Sequence, residues 1–210
     1  MYCSENNQIS KNNSIGCVIM ASGEGKRFGG NKLMTNLCQK PMIGYAVDTA
    51  KAVFDNILVV TRHENVAEFC RQNNIDFVLH NFPGRNDTVR LGIEKFDGRC
   101  DGCIFCQGDQ PLISVSTLQK MAETFDKNKN NIIRLEFDGV PSSPTIFPKD
   151  TFPALLTLPE GKGGNVIVKN NPDKVIFVSA QDRYETFDID TKEDFAEIET
   201  VINEKKVYSK

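Results

Sequence analysis

The sequence predicts an α/β fold: one mainly parallel sheet flanked by helices, with a small antiparallel edge in its second half. Three observations predict it. Apolar runs of strand length, such as Ile57-Leu58-Val59-Val60, are continuous rather than alternating, as in strands buried on both faces. Stretches with helical spacing separate these runs. The two patterns keep alternating along the chain, which is the signature of an open sheet covered by helices.

Residues 1–14 are polar, rich in Asn and Ser, and without periodicity; they read as a flexible tail ahead of one domain over 15–210. The first strand, 15–19, runs into a glycine-rich loop at 20–32. Pro41 opens a helix at its first turn, where a missing N–H costs nothing. Met42, Ile43, Tyr45, Ala46, Thr49, Ala50 and Val53 then recur at helical spacing. A strand at 56–61, a helix at 65–72 and a strand at 76–80 repeat the alternation. Residues 81–86 carry turn chemistry, and Asp87 is placed to cap a helix over 88–95. A strand at 103–106 ends in Gln107-Gly108-Asp109-Gln110-Pro111, and a helix follows from 116 to about 125. The second half is less regular: a strand at 132–137, a turn at 140–144, a strand at 145–147, a second glycine-rich loop at 160–165, and a strand at 174–179. Thr191-Lys192-Glu193-Asp194 resembles a capping box at the start of the last helix. The whole is Rossmann-like, without internal repeat, and 210 residues suit a single domain.

Composition narrows the function. A 40% hydrophobic and 25% charged chain builds an ordinary globular core. No apolar run approaches the roughly 20 residues a bilayer span needs, and no secretory leader opens the chain, so the expectation is a cytoplasmic protein with no membrane partner. A net charge of −3 argues against broad nucleic-acid binding, so phosphate recognition must be local. Seven cysteines without a secretion signal read as reduced thiols. Cys100, Cys103 and Cys106 resemble the start of a cluster or zinc motif, but no fourth cysteine follows at the needed spacing. Cys103 and Cys106 would also face opposite sides of a strand, so buried thiols are expected. His63 and His80 stand alone and read as surface or strand-end residues.

In open α/β sheets ligands sit beyond the carboxyl ends of the strands. The loop at 20–32 lies there, with Gly23, Gly25, Gly29 and Gly30 permitting backbone N–H groups to converge on an anion. Lys26, Arg27 and Lys32 add positive charge, which points to polyphosphate. The loop is neither common phosphate motif: Asn31 stands where G-x-x-x-x-G-K needs Lys, and Phe28 where G-x-G-x-x-G needs its third Gly. Asp109 and Asp190 follow strands and suit Mg²⁺, which takes one or two carboxylates together with substrate phosphates.

Met20-Ala21-Ser22-Gly23-Glu24-Gly25-Lys26-Arg27-Phe28-Gly29-Gly30-Asn31-Lys32-Leu33 resembles the signature loop of enzymes that transfer a nucleoside monophosphate. Gly108-Asp109-Gln110-Pro111-Leu112 and Asp188-Ile189-Asp190-Thr191-Lys192-Glu193-Asp194 are similar to the GDQPL and DIDTPED segments of one branch, the molybdenum cofactor cytidylyltransferases, relatives of the molybdenum cofactor guanylyltransferases. The resemblance implies transfer of CMP from CTP to the phosphate of molybdopterin, with pyrophosphate released. It implies that Ala21, Ser22, Gly23, Glu24, Gly25, Lys26, Arg27, Lys32, Gly84, Thr88 and Gly108 bind the nucleotide. Arg27 would neutralise the leaving pyrophosphate, Lys32 would sit at the α-phosphate, and Asp109 and Asp190 would hold Mg²⁺. Thr88 would meet the cytosine edge, and Ser22, where guanylyl-transferring relatives carry Gly, would narrow the base pocket. A molybdenum hydroxylase or its chaperone would receive the product. Pro141-Ser142-Ser143-Pro144 and Gly161-Lys162-Gly163-Gly164-Asn165 depart from the family pattern on the acceptor side. Three other readings stand beside this one: the methylerythritol phosphate cytidylyltransferase of isoprenoid synthesis, echoed by Arg85-Asn86-Asp87-Thr88-Val89; a guanylyl-transferring relative; and a nucleotide-binding domain without turnover.

Overall fold

The structure is a computed structural model that describes residues 11–208. Seven strands form the main sheet: β1 (Asn12–Ala21), β4 (Phe54–Thr61), β5 (Phe77–Leu79), β6 (Gly102–Gln107), β7 (Ile132–Phe137), β8 (Val140–Pro148) and β9 (Val175–Ser179). Their order is β5-β4-β1-β6-β8-β7-β9. β1 pairs in parallel with β4 and β6, β4 with β5, and β7 with β9; only β8 runs against its neighbours. The mainly parallel α/β sheet is therefore as predicted. Its antiparallel strand lies inside the sheet, between β6 and β7, rather than at an edge.

Alternation along β1 divides the core. Ile15, Cys17, Ile19 and Ala21 face one apolar cluster, and Val18 faces the other. The first cluster is closed by α1 (Met42–Val53), α2 (Glu64–Gln72), α4 (Val115–Lys127) and α7 (Lys192–Tyr208). α3 (Arg85–Phe96), α5 (Phe152–Leu156) and α6 (Asn165–Asn170) cover the second. Both faces are buried, which is why the strands read as unbroken apolar runs. Cys103 and Cys106 fall in opposite clusters, and Cys100 is buried too. They are core thiols, as expected, and burial pushes the Cys103 thiol well up.

Several boundaries differ from the sequence reading. β1 begins at Asn12, so residues 12–14 belong to the sheet and not to a tail; residues 1–10 of the expected tail lie outside the described residues. A short 3₁₀ turn, Lys32–Met34, and a ribbon of β2 (Asn36–Leu37) and β3 (Lys40–Pro41) separate the glycine-rich loop from α1. Pro41 is the N-cap of α1 rather than its first residue. α3 starts at Arg85, three residues early, because Asp87 accepts the Gly84 N–H (3.1 Å) from inside the first turn. The turn expected at 140–144 is instead Asp138-Gly139, both at positive φ (51° and 76°), and it joins β7 directly to β8. Among the described residues no helix is long and apolar enough to cross a membrane.

Candidate nucleotide site

Because β1, β4 and β6 are parallel, their carboxyl ends deliver three loops to one edge of the sheet. Ala21 is level with Thr61, and Met20 with Gln107. Between these ends opens a cleft of about 490 Å³ lined by Ser22, Gly23, Glu24, Gly25, Lys26, Gly84, Thr88 and Asp109 among others. Eight residues predicted for the site thus converge on one cavity. Ala21, 1% exposed, lies behind it and contributes its carbonyl to the Thr61 hydroxyl at 2.9 Å. Gly108 is a close-approach position, since a Cβ there would come 3.3 Å from the Met20 carbonyl and from Leu33.

The glycine-rich loop closes on itself through one carbonyl. The N–H groups of Phe28, Gly29 and Gly30 all donate to Gly25 O, at 3.0, 3.1 and 3.2 Å, with Gly25 at φ +61°. A Cβ on Gly25 would lie 2.0 Å from the Gly30 carbonyl oxygen, so no other residue fits there. Residues 22–26 of this loop line the cleft. The end of β4 pins that segment from the side: His63 Nε2 meets Gly23 O at 2.8 Å, and Arg62 reaches the Glu24 carboxylate at 3.3 Å. Glu24 also pairs with Lys26 at 2.7 Å. Two of the cations facing the cleft are thus held by one loop carboxylate.

At the inner end of the loop, Lys32 is buried and its ammonium has three acceptors: Asp109 Oδ2 at 2.7 Å, Asp190 Oδ1 at 2.9 Å and the Ile189 carbonyl. Those acceptors match the three donors of an ammonium. Burial alone would lower the Lys32 pKa; the pairs with Asp109 and then Asp190 outweigh it, and the net shift is upward. Arg27, largely exposed, takes the other Asp190 oxygen at 2.6 Å. Asp188 is raised to about 6, first by burial and then by the charges of Asp109 and Asp190.

The acidic pair is set by backbone. Ile189 N–H donates to Asp109 O at 3.1 Å, which ties the turn after β6 to the 188–190 segment. Asp194 Oδ2 accepts from Asp190 N (2.9 Å) and Thr191 N (2.7 Å), while Thr191 Oγ1 accepts from Asp194 N (3.1 Å). The expected capping box is therefore present, and it orients Asp190 as well as starting α7.

Six residues lining the cleft were not predicted as site residues: Met20, Leu33, Arg62, Pro83, Arg85 and Gln107. Arg62 and Gln107 sit at strand carboxyl ends, the same signal that flagged Asp109. His63 and His80 are also part of the surroundings rather than isolated: His80 Nε2 lies 2.9 Å from Ser22 Oγ, which donates to Val60 O at 3.2 Å. Among the described residues no three His, Cys, Asp or Glu side chains form a ready metal cage. Asp109 and Asp190 converge instead on the Lys32 ammonium.

A mainly parallel sheet with a glycine-rich loop and two acidic turns bordering its cleft is the arrangement of a nucleotidyltransferase-type domain. Residues 17–175 match the MobA-like NTP transferase domain, and the chain belongs to that family. It is 30% identical over 132 residues to the bifunctional protein GlmU of Sulfurovum sp., covering 59% of this chain and 30% of the relative. It is 35% identical over 112 residues to the 3-deoxy-manno-octulosonate cytidylyltransferase of Acinetobacter baumannii, covering 50% of this chain and 44% of the relative. The chain thus spans less than half the length of either relative. In fold it is similar to a nucleotidyl transferase from Methanothermobacter, with a TM-score of 0.80 at 20% identity over 92% of this chain and 100% of that one.

Proposed function

We propose that this protein is a cytidylyltransferase that moves CMP from CTP to the phosphate of a molybdopterin-type acceptor. The observation that carries the reading is the convergence of Asp109, which lines the cleft beside loop residues 22–26, and of Asp190 on Lys32. The branch signature in the loop, in Gly108-Asp109-Gln110-Pro111 and in Asp188-Ile189-Asp190 supports the acceptor, and the similarity to a cytidylyltransferase supports the base.

In this reading the 22–27 backbone and Lys26 take the β- and γ-phosphates. Arg27 neutralises charge on the leaving pyrophosphate. An oxygen of the acceptor's phosphate monoester attacks the α-phosphorus of CTP, a new phosphoanhydride bond forms, and the bond from the α-phosphorus to the β-bridging oxygen breaks. The acceptor is already ionised, so no protein nucleophile or strong base is required, and positioning does most of the work. Mg²⁺ held by Asp109 and Asp190 would supply charge stabilisation at the α-phosphate oxygens. Lys32 has no donor to spare while it holds both carboxylates. Its delivery to the α-phosphate therefore requires that another cation take over one of them.

Thr88, 2% exposed on α3, borders the cleft where the base edge would lie. Ser22 would narrow the same region. The test is mass detection of a cytidylylated acceptor after incubation with CTP, Mg²⁺ and molybdopterin, with GTP and methylerythritol phosphate as controls. Cytidylylation of molybdopterin is expected; guanylylation, or cytidylylation of methylerythritol phosphate alone, would overturn the reading.

A further inference from the structure

A second, smaller cavity of about 130 Å³ opens beside the nucleotide cleft and shares Met20, Arg85 and Gln107 with it. Its lining contains Arg85 and Arg134 and no carboxylate. Arg134 stands on β7, level with Thr145 of β8. Its guanidinium gives Nε to the Ser142 carbonyl at 3.3 Å and Nη1 to Asn165 Oδ1 at 2.9 Å. Both partners are neutral. Arg27, Arg62, Arg71, Arg90 and Arg183 each have a carboxylate within ion-pair reach; among the described residues Arg85, Arg99 and Arg134 have none, and of these three Arg85 and Arg134 line the cavity. Burial lowers the Arg134 pKa, with no opposing carboxylate to restore it.

A partly buried guanidinium left without a counter-ion is costly, and such a group facing a cavity is complemented by an anion that enters it. The hydroxyls of Ser143 and Thr145 add donors to the same wall. Two guanidiniums with two hydroxyls suit a phosphate dianion better than a carboxylate, which one guanidinium already satisfies. The cavity, about 130 Å³, has room for a phosphate group. The second glycine-rich loop, 160–165, borders the pocket: Gly161 N–H is held by Asn86 Oδ1 at 2.9 Å, and a Cβ on Gly163 would press to 2.9 Å from the Arg85 Cδ.

We propose that the pocket between Arg134 and Arg85 is the subsite for the acceptor's phosphate monoester. The phosphate would stand at the boundary that Arg85 shares with the nucleotide cleft, while the rest of the acceptor stays outside the pocket. This rests on the reading of the larger cleft as the nucleotide site.

The test uses the full chain with that cleft filled by α,β-methylene-CTP and Mg²⁺, and inorganic phosphate as the probe in calorimetry. One phosphate site is expected, with acetate at equal concentration failing to displace it. Arg134→Gln should weaken phosphate binding at least tenfold. Asn165→Asp, which keeps the shape but sets a carboxylate against Arg134, should do the same with an unchanged melting temperature. Both variants should bind the CTP analogue within twofold of wild type. Unchanged phosphate affinity in both variants, or displacement by acetate, would overturn the proposal. If wild type does not bind the CTP analogue, the nucleotide reading fails on its own, and the Arg134→Gln and Asn165→Asp comparison on the nucleotide-free chain decides the subsite by the same criterion.

Discussion

Lys32 Nζ stands 2.7 Å from Asp109 Oδ2 and 2.9 Å from Asp190 Oδ1, so one buried ammonium joins the turn after β6 to the turn before α7. These segments are about eighty residues apart in sequence. The bridge makes the acidic pair part of the folded core and at the same time a cation site already held by the protein's own cation.

Lys32→Met removes that cation and leaves Asp109 without an ion-pair partner beside Asp190, which keeps only the exposed Arg27. The loss of stability should be about 3 kcal/mol, the lower end for a broken buried pair because Asp109 and Asp190 keep some contact with solvent. Urea unfolding measures it. Millimolar Mg²⁺ should restore part of the loss in the variant and raise the wild-type midpoint less.

Asp194→Ala removes the acceptor of both the Asp190 and Thr191 N–H groups. Burial pushes the Asp194 carboxyl up, but those N–H groups and the Thr191 hydroxyl hold it below its ordinary value, so the ionised form is the one in use. The cap should be worth about 1 kcal/mol. A fall of roughly tenfold in kcat with KM for CTP little changed would show that the cap also orients Asp190.

Ser22 is held by Val60 O and His80 at the edge of the cleft. Ser22→Gly should widen the base region and cut the preference for CTP over GTP, read as the ratio of kcat/KM values, by about tenfold, the scale of a small steric difference in a pocket.

His80 is pushed below its ordinary 6.5, first by burial and then by Arg62, with Asp87 opposing and Arg90 adding to the shift. Its Nδ1 is buried without a partner. A depressed folded pKa means that the unfolded chain binds the proton more readily. The stability His80 confers is therefore complete above pH 6.5 and is lost as pH falls below it. The urea midpoint of wild type should drop between pH 7 and pH 5 by more than that of His80→Gln.

The central strands were legible because both faces of the sheet are covered, so Ile57-Leu58-Val59-Val60 reads apolar without a break. The β7–β8 turn lies earlier than the sequence predicts because Pro141 and Pro144, ordinarily turn residues, here stand within β8. An Asp-Gly pair between apolar runs is the stronger hairpin signal, as both residues tolerate positive φ. In the site, the glycine-rich loop and Asp109 were legible from chemistry at strand ends. Arg134 was not, because a lone arginine in a strand looks the same whether it meets a carboxylate or a cavity. His80 and Ser22, 58 residues apart, become partners only when β5 is laid beside β4.

The most direct test of the central claim is pyrophosphate release from CTP with Mg²⁺ and molybdopterin, in wild type and in Asp109→Asn. The account predicts acceptor-dependent release with CTP that exceeds release with GTP, and a fall of at least a hundredfold in the variant, the scale of losing a charge-stabilising group at the transition state. Equal release with GTP, release that ignores the acceptor, or full activity in Asp109→Asn would contradict it.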